Sequence, residues 1–515
     1  MRIADSATMR LLDERCQTDY GIPGILLMEG AARALLKHLN LEKTYFVVVC
    51  GPGNNGGDGL ALARLLKALG KEVDVFSLRP PLSYPREAGV YGEILVKAGI
   101  SHQVLSPEES LWSFSEALKD ADVLVDALWG TGLTRPLPDF VQKIIRLMND
   151  FSPKIIAVDV PSGLQADTGK PLPEAVHAAK TVTFECLKTG FFQEEAQRYL
   201  GQVVVEPIGI PASLKEEVLP PYWVTEPEDL QRIIPLRDRS GYKNCYGHCL
   251  VVAGSPGYTG AALLCAEAAV AAGSGLVTLC AHEEALDLLV PRLTEVMSLY
   301  PENLEQGTKK ADVIALGPGL GNSPATFNLL LQVLKTLLEE GKTGTTLVLD
   351  ADGLNVLQGR TDLLKDIICP VIITPHPGEM ARLTGKTRAE IHDDRVGIAR
   401  AFAREHGVIV VLKGHRTVIT DGIRVQINPT GSSAMAQGGM GDALTGIIAS
   451  FAGQGISPWD AAVAGVYLHG HIGDLLAKER YSVKPSEIIA ALPKVMGQVV
   501  RRGDPVENSL GNMIR

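Results

Sequence analysis

The sequence predicts an α/β protein with two domains, each built around a largely parallel β-sheet. The length supports two domains, because 515 residues are too many for one ordinary hydrophobic core. In addition, short runs of β-branched and other apolar residues alternate with helix-like segments, once before residue 209 and again after residue 248. Continuous apolar strands separated by helices are typical of doubly wound parallel sheets.

The amino-terminal half contains six such runs, and the segments between them have the length and composition of helices. We expect the first 40 residues to form helices that lie against the sheet. The predicted strands are FVVVC (46–50), VDVFSL (73–78), DVLVDAL (122–128), KIIAVDV (154–160), TVTFEC (181–186) and VVVEPI (203–208).

The junction between the domains is predicted within 209–240, where prolines are scattered and no strand is sustained. We therefore expect a first domain at 1–212, a linker at 213–240 and a second domain at 241–515, in which helices dominate after residue 441. The strands predicted for the second domain are CLVVAGS (249–255), LVTLCA (276–281), VIALGP (313–318), TLVLDA (346–351), VIITPHP (371–377) and VIVVLKG (408–414).

Composition limits the possible partners and location. The net charge is −10 and no dense block of lysine or arginine occurs, which argues against nucleic acid as the main partner. The amino terminus lacks the apolar core of a signal peptide, and the most apolar stretches are interrupted by charge and glycine. We expect a cytoplasmic protein without a membrane segment, and we interpret the eight cysteines as reduced thiols.

We also expect a homo-oligomer. The apolar amino-terminal helices and the alanine-rich stretch GAALLCAEAAVAAG offer surfaces for subunit contacts, and both could equally belong to the core.

The stretch GPGNNGGDGL (51–60) follows a predicted strand and opens a helix. Gly51, Gly53 and Gly56 match the G-x-G-x-x-G pattern of dinucleotide-binding turns. That pattern also needs an acid about 20 residues later to bind the ribose. Asp74 is near this position, but it lies inside its strand rather than at the end, so the pattern is weak evidence for an ordinary dehydrogenase.

Polar side chains at three strand ends suggest another interpretation of this loop, in which it binds a cation beside a phosphate. The carboxyl ends of parallel strands meet at the edge where open α/β folds bind ligands, and hard oxygen ligands there suit a cation. Each acid could instead cap a helix or form a turn, and Asp58 could simply begin the following helix. Asp159, which ends a strand before Pro-Ser-Gly, is poorly explained by packing. The side chains concerned are Asn54, Asn55, Asp58, Asp126, Asp159 and Ser162.

Three motifs in order, GPGNNGGDG, DALWGTGL and VDVPSG, resemble the family of NAD(P)HX epimerases over roughly residues 1–210. The resemblance implies a Rossmann-like doubly wound domain, a potassium ion held by Asn55, Asp126 and Ser162, and Asp159 beside the nicotinamide as the catalytic acid and base. It implies nucleotide binding by Asn54, Asn55, Gly56, Gly57, Asp58, Gly130, Thr131, Gly132, Leu133, Thr134, Arg135, Pro136 and Asp159.

The glycine-rich stretch AQGGMGDALTGIIASFAG (436–453) has its glycines directly before an apolar helix, with Asp442 at the helix start. Free amides at a helix amino terminus bind anions, so a phosphate could rest there. Asp442 could be the N-cap of the helix, or it could be the base that takes the proton from an attacking hydroxyl. We favour the base, because capping does not need three preceding glycines.

Two further loops follow strands of the second domain. His376 in PHPGEMAR (375–382) could bind a ligand or form only structural hydrogen bonds. Lys413 in KGHRT (413–417) could extend along the surface, although its position after a buried strand and before glycine favours contact with phosphate.

These loops, with AGSPGYTGAA (253–262) and LGPGLG (316–321), resemble the ribokinase-like family of NAD(P)HX dehydratases over roughly residues 240–500. The resemblance implies Asp442 as the catalytic residue and magnesium with ADP or ATP. It implies hydrate binding by Ala261, Ala262, Gly319, His376, Pro377, Gly378, Glu379, Met380, Ala381, Arg382 and Asp442. It implies ADP or ATP binding by Lys413, Gly414, His415, Arg416, Thr417, Ser432, Ser433, Ala434, Met435, Ala436, Gln437, Gly438, Gly439, Met440 and Gly441.

Together the two resemblances imply a bifunctional repair enzyme for hydrated nicotinamide nucleotides. The first domain would interconvert the R and S forms of NADHX and NADPHX, and the second would dehydrate the S form after phosphoryl transfer. The alternative is a ribokinase-like small-molecule kinase fused to a non-catalytic nucleotide-sensing domain. The sequence leaves open the choice of ADP or ATP and of NADHX or NADPHX.

Overall fold

The computed structural model describes residues 1–107, 111–151 and 154–501. The chain divides into two compact units, one comprising Met1–Tyr222 and the other beginning at Trp223. This division falls inside the segment 213–240 that we expected as a linker. The expected end of the second domain at residue 515 lies outside the described residues.

The first unit contains a seven-stranded sheet and a separate two-stranded pair. Its strands are β1 (Ile3–Ala4), β2 (Tyr45–Cys50), β3 (Glu72–Ser77), β4 (Ser101–Val104), β5 (Val123–Ala127), β6 (Ile155–Val158), β7 (Lys180–Phe184), β8 (Leu187–Lys188) and β9 (Gln202–Glu206). The sheet order is β4-β3-β2-β5-β6-β7-β9, with every neighbouring pair parallel. From β2 the chain adds β3 and β4 on one side, and then returns to add β5, β6, β7 and β9 on the other side. This switch in strand order between β2 and β5 is the Rossmann pattern.

The helices of the first unit are α1 (Ser6–Tyr20), α2 (Gly24–Leu36), α3 (Asn54–Ala68), α4 (Arg86–Lys97), α5 (Trp112–Asp120), α6 (Asp139–Phe151), α7 (Gln197–Leu200) and α8 (Ala212–Val218). Because side chains alternate along β2, Val48 packs in one core with α2, α3 and α4, and Val47 packs in another with α5 and α6. The expectation that all of the first 40 residues lie against the sheet is wrong for α1. Its Leu12 packs in a third core with Leu214 of α8.

The second unit contains a ten-stranded sheet. Its strands are β10 (Tyr222–Val224), β11 (His248–Val252), β12 (Leu276–Cys280), β13 (Met297–Leu299), β14 (Val313–Leu316), β15 (Thr346–Leu349), β16 (Val371–Ile373), β17 (Ile409–Leu412), β18 (Val418–Thr420) and β19 (Val425–Ile427). The order is β10-β19-β18-β17-β16-β15-β14-β11-β12-β13. The seven neighbouring strands β13, β12, β11, β14, β15, β16 and β17 pair in parallel, whereas β18 pairs antiparallel with β17 and β19.

The helices of the second unit are α9 (Pro227–Ile233), α10 (Thr259–Ala271), α11 (Glu283–Leu289), α12 (Leu304–Lys310), α13 (Pro324–Glu339), α14 (Asp352–Asn355), α15 (Pro377–Thr384), α16 (Arg388–Asp393), α17 (Arg395–His406), α18 (Met440–Gly453), α19 (Pro458–Ala477) and α20 (Pro485–Arg501). Residues of α10, α18, α19 and α20 share one apolar core with the sheet. The predicted dominance of helices after residue 441 is confirmed.

The segment expected as a linker contains regular structure. It includes most of α8, the strand β10 and the helix α9. Prolines separate these elements, and Pro227 is the first residue of α9, a position where a proline fits a helix well. Scattered prolines therefore marked the ends of short elements rather than an irregular chain.

Among the residues that the structure describes, no helix combines the length and apolar character needed to span a bilayer. All eight cysteines are free thiols and seven of them are buried, as predicted.

Candidate active sites

Four neighbouring strands of the first unit end level with one another. Cys50 of β2 pairs in register with Ser77 of β3 and with Ala127 of β5, and Asp126 of β5 pairs with Ala157 of β6. The loops after these strands therefore meet at one edge of the sheet, beside the point where the strand order reverses. The ends of β2, β5 and β6, where the polar side chains were predicted, therefore lie at this edge of the sheet.

The glycine-rich loop after β2 turns directly into α3. A Cβ on Gly51 would overlap the carbonyl oxygen of Leu128, and one on Gly56 would overlap the carbonyl oxygen of Gly51. Only glycine permits these close approaches. The helix begins at Asn54 with Gly53 as its N-cap, so the alternative that Asp58 begins the helix is wrong.

Asp58 is the fifth residue of α3, and burial together with the nearby Asp159 and Asp13 carboxylates raises its pKa well above the usual value. Asn54 is exposed, whereas Asn55 is half-buried, and within the described ranges its Nδ2 has no hydrogen-bond partner. A buried amide without a partner is a site for a ligand or an ordered water.

Asp126 and Ser162 form one buried unit across β5 and the loop after β6. Asp126 Oδ2 accepts from Ser162 N at 2.7 Å, and Oδ1 accepts from Ser162 Oγ at 2.6 Å and from Leu128 N at 3.2 Å. Asp126 is fully buried, and this burial raises the pKa of its carboxyl to about 6 despite the bonds from Ser162.

Asp159 has a left-handed backbone, with φ 63°, which is strained for a residue with a side chain. Its Oδ1 accepts from Thr183 Oγ1 at 2.9 Å and forms an ion pair with Lys188 Nζ at 2.9 Å. A Cβ on Gly130 would lie 3.1 Å from Oδ2 and 3.0 Å from Asn55 Oδ1. One oxygen of Asp159 is thus held by donors, and the other faces the Gly130 loop.

Lys188 and Asp13 belong to this site and were missed from the sequence. The Lys188 side chain is only 1% exposed, and its Nζ also donates to Thr183 Oγ1 at 2.8 Å. Asp13 lies on α1, and burial followed by the Asp159 carboxylate raises its pKa to about 6. A fully buried lysine beside three clustered acids is the pattern of titratable groups expected at a functional site.

The predicted loop 130–136 has mixed exposure. Gly130 and Thr131 are half-buried, whereas Gly132, Thr134, Arg135 and Pro136 are exposed. Leu133 is buried and packs in the core with α5 and α6, so it holds the loop in place. Gly56 and Gly57 are also buried.

Asp74 does not occupy the ribose-binding position of a dehydrogenase. Its carboxylate accepts from the hydroxyl of Tyr45 at 2.7 Å, and Tyr45 is the first residue of β2. This contact holds Asp74 toward the amino-terminal end of the sheet, away from the glycine-rich loop.

In the second unit, Asp442 is the third residue of α18. Gly439, with φ 90°, is the N-cap, and none of the side chains that the structure describes caps this helix, so the alternative that Asp442 is the N-cap is wrong. Burial raises the pKa of Asp442 to about 6, and the nearby Asp350 carboxylate adds to this increase while Lys413 opposes it. The helix amides and this carboxyl group therefore share one end of α18.

Lys413 is engaged by acids rather than free. Its Nζ lies 2.6 Å from Asp350 Oδ1 and 4.0 Å from Glu379 Oε2. Asp350 is buried, and its Oδ2 accepts from Thr445 Oγ1 of α18 at 2.8 Å. Asp350 was not predicted as a site residue, although the predicted strand TLVLDA (346–351) contains it. The backbone at Ala351 is left-handed, with φ 47°, as at Asp159 in the first unit.

His376 caps α15. Its Nδ1 accepts from Gly378 N at 2.9 Å, and Glu379 Oε2 accepts in return from His376 N at 2.7 Å. Partial burial and the charge of Lys413 lower the pKa of His376 to about 4, so the ring is a neutral acceptor. Its half-exposed side chain leaves contact with a ligand possible.

The other predicted residues of the 376–382 segment lie at different depths. Pro377, Ala381 and Arg382 are half-buried, whereas Gly378, Glu379 and Met380 are buried. Arg382 Nε donates to Asn355 Oδ1 at 3.0 Å.

The loop after β14 approaches α10. A Cβ on Gly319 would lie 3.0 Å from the Cβ of Ala261, so these two predicted residues are neighbours. Ala262 is fully buried in the core, and of the two alanines only Ala261 is partly exposed.

The predicted nucleotide-binding loops are largely accessible. Gly414 and His415 are exposed, and Arg416 and Thr417 are buried. Ser432, Ser433, Ala436, Gln437 and Gly438 are exposed, Ala434, Met435, Gly439 and Gly441 are half-buried, and Met440 packs in the core.

Two family models match the chain, one for each unit. The model described as YjeF-related protein N-terminus matches residues 25–190, and the model described as NAD(P)H-hydrate dehydratase matches residues 249–494. The Bifunctional NAD(P)H-hydrate repair enzyme Nnr of Moorella thermoacetica is 38% identical over 525 residues, which cover 96% of this chain and 97% of the relative. The chain belongs to the family of bifunctional NAD(P)H-hydrate repair enzymes.

A second relative and one solved structure are also similar to this chain. The repair enzyme Nnr of Escherichia coli K12 is 35% identical, with coverage of 85% of this chain and 81% of the relative. The crystal structure of a ribokinase-like superfamily protein from Enterococcus faecalis matches at 30% identity and a TM-score of 0.50, covering 55% of this chain and 97% of that one. The predictions of the family, of the fold class and of a bifunctional enzyme are confirmed.

Proposed function

We propose that the first unit interconverts the R and S hydrates of NADH and NADPH through Asp159, and that the second unit dehydrates the S form through Asp442. For the first unit, the decisive observation is the Asp159 carboxylate, with one oxygen held by Lys188 and the other open beside Gly130. For the second unit, it is the Asp442 carboxyl at the glycine-rich start of α18.

The first reaction inverts carbon 6 of the hydrated ring, which carries a hydroxyl and the ring nitrogen. One of these two bonds must break and form again on the other face, and each event moves a proton between the substrate and a neighbouring group. Asp159 Oδ2 takes and returns this proton. Asp58 and Asp13 are the candidate proton donors, because the Asp159 carboxylate contributes to raising the pKa of both groups. Their raised pKa values keep protons bound at higher pH.

The residues predicted to hold potassium fit a cation. Asp126 supplies a buried carboxylate whose pKa is raised by burial, and Asn55 supplies an amide oxygen, Oδ1, which faces Gly130. Ser162 binds both oxygens of Asp126 and brings its hydroxyl to the same place. When bound, potassium would neutralise this carboxylate and hold the Asn55 and Ser162 loops beside the nucleotide phosphate.

The second reaction makes the 6-hydroxyl a better leaving group. Asp442 accepts the hydroxyl proton while a new bond forms from that oxygen to the terminal phosphorus of ADP or ATP, and the donor's phosphoanhydride bond breaks. Loss of phosphate from carbon 6 and of a proton from carbon 5 then restores the ring double bond. The free amides at the start of α18 stabilise the charge of the transferred group.

Lys413 and magnesium would together offset the negative charge of the nucleotide phosphates in this site. Lys413 already has acids on both sides, so Asp350 and Glu379 hold it in place for phosphate. Asp350 accepts from Lys413 and Thr445, and Asp352 accepts from Gly321 N and Asn355 Nδ2, so both acids are engaged. Magnesium would therefore bind mainly through the phosphates and water, as is common for this ion.

Pure hydrates test the two reactions separately. With R-NADHX and no phosphoryl donor, wild type should produce the S form faster than the spontaneous reaction, and Asp159→Asn should not. With S-NADHX, magnesium and either ADP or ATP, wild type should restore absorbance at 340 nm, and Asp442→Asn should not.

A phosphorylated hydrate that accumulates without elimination would instead favour the kinase alternative for the second unit. The cytoplasmic location and the homo-oligomer stay predictions.

A further inference from the structure

Arg79 lies at the edge of the sheet where the first unit is proposed to bind its nucleotide. Leu78 N donates to the carbonyl oxygen of Cys50 at 3.1 Å, so the chain leaves β3 level with the glycine-rich loop after β2. Arg79 follows directly, and its Nη1 donates to the carbonyl oxygen of Pro52 in that loop at 3.2 Å. The arginine therefore lies against the turn that leads into α3.

The Arg79 guanidinium is positioned and still has donors available. Its Nε donates to Ser83 Oγ at 3.2 Å, and the group lies over the Tyr84 ring at 5.5 Å. Tyr84 in turn donates to the carbonyl oxygen of Gly51 at 2.8 Å. Among the described residues, no carboxylate forms an ion pair with Arg79, and two of the five guanidinium N–H groups account for these bonds.

The sheet order gives the direction of the bound nucleotide, an argument that depends on the proposed epimerase function. Asp159 follows β6, the glycine-rich loop follows β2, and β3 is the next strand beyond β2. A nucleotide with its nicotinamide at Asp159 and its pyrophosphate at the start of α3 would extend its adenosine toward the end of β3. From β6 to β3 is three strand spacings, about 14 Å.

The end of β3 suits a phosphate rather than a hydroxyl group. In dinucleotide folds, an acid at this strand end binds the 2′-hydroxyl of the ribose, and an arginine accommodates a 2′-phosphate. Here the two acids of this strand, Glu72 and Asp74, lie toward its other end, where Asp74 accepts from Tyr45. The Ser77 hydroxyl donates to the carbonyl oxygen of Arg79. A planar guanidinium can bind a phosphate through two N–H groups.

We propose that Arg79 binds the 2′-phosphate of NADPHX and thereby gives the epimerase unit a preference for NADPHX over NADHX. The nicotinamide end of both substrates is the same, so the preference resides in KM rather than in kcat. Arg79 is thus a specificity-determining residue and takes no part in the proton transfers at carbon 6.

The test compares Arg79→Ala and Arg79→Lys with wild type in the full-length protein. The conversion of R-NADPHX and of R-NADHX to the S forms is followed by chromatography without ADP or ATP, so that dehydration does not occur. Loss of a charge-assisted pair predicts that KM for R-NADPHX rises about tenfold or more in Arg79→Ala, while both constants for R-NADHX change less than about twofold. Arg79→Lys should lie between the two.

Arg146→Ala is the matched control, because Arg146 lies on α6 and pairs with Glu174 on the surface. It should change neither substrate's constants. Equal losses on both substrates in Arg79→Ala, or no loss on either, would overturn the proposal.

A binding measurement separates this proposal from the epimerase function itself. Adenosine 2′,5′-bisphosphate and 5′-AMP are titrated into wild type and Arg79→Ala. Because the substitution lies in the first unit, any difference in affinity between the two proteins reports binding to that unit. Wild type should bind the bisphosphate more tightly by about tenfold relative to the variant, with 5′-AMP unchanged. If wild type shows this tighter binding of the bisphosphate but has no epimerase activity, the phosphate site at Arg79 is supported and the proposed epimerase reaction is wrong. If bisphosphate affinity is the same in both proteins, the Arg79 proposal fails.

Discussion

Replacing Asp126 by asparagine should stabilise the first unit in buffer without potassium and should abolish its stabilisation by potassium. Burial raises the pKa of Asp126 from 3.8 to about 6. The folded protein therefore binds this proton more tightly than the unfolded chain, and the free energy of unfolding falls as the pH rises through this window. The difference of roughly 2 pKa units corresponds to about 3 kcal/mol at pH 7.5, and about half of that is present at pH 5.

Asparagine carries no charge, so the variant avoids the free energy lost when the buried Asp126 carboxyl ionises. The substitution also has a smaller cost of its own. Its oxygen can accept from Ser162 N, but its NH₂ group then faces Leu128 N, which loses its acceptor. That loss costs about 1 kcal/mol, which leaves a net gain of about 2 kcal/mol at pH 7.5. For a unit of this size, the gain corresponds to an increase in Tm of about 4–8 °C.

The assay is thermal unfolding of the full chain in tetramethylammonium chloride or in potassium chloride, at pH 5 and pH 7.5. Potassium should raise the Tm of the first unit in wild type and have no effect in Asp126→Asn. Asp74→Asn, which changes an acid of the same sheet away from the site, should respond to potassium as wild type does. A variant less stable than wild type at pH 7.5 without potassium, but equally stabilised by it, would refute the reasoning.

Three predictions concern the second unit. Dehydration of the S hydrate should slow as the pH falls through about 6, because protonated Asp442 cannot accept the hydroxyl proton; rates measured from pH 5 to 8 check this. Lys413→Met should lower the free energy of unfolding by about 3–5 kcal/mol in denaturant titrations, because it leaves the buried Asp350 carboxylate without its cation. His376→Ala should cost about 1 kcal/mol in the same titrations through loss of the cap on α15, and His376→Asn should recover most of it.

Each of these predictions has an opposing outcome. A dehydration rate that is flat between pH 5 and 8 would exclude Asp442 as the base. A fully stable Lys413→Met would show that the ion pair between Lys413 and Asp350 contributes nothing to folding. Equal stability of the alanine and asparagine variants at His376 would mean that its ring nitrogen does not cap the helix.

The sheets were predictable because their strands are buried on both faces. All twelve predicted runs contain strands, and a continuous apolar run needs no knowledge of its neighbours. The strands that were missed are short, and Ser101–Val104 and Met297–Leu299 lie at sheet edges, where fewer positions are buried. Such strands have little apolar pattern to detect.

The sites were predictable only in part, because their side chains are paired across long separations in sequence. An acid at a strand end marked Asp159, and glycines before a predicted helix marked Asp442 at the start of α18. Asp350 and Lys413 are 63 residues apart and meet only in the fold. In the sequence, Lys188 comes shortly after the predicted strand TVTFEC (181–186), and nothing there indicates that its side chain is fully buried against Asp159.

The most direct test of two sequential repair steps is the recovery of absorbance at 340 nm from a mixture of R and S hydrates with magnesium and ADP or ATP. Wild type should recover the full absorbance. Asp159→Asn should stop near the S fraction, apart from slow spontaneous epimerisation, and Asp442→Asn should recover none. Recovery of the R fraction at the wild-type rate by Asp159→Asn, or no recovery by wild type with either nucleotide, would contradict the account.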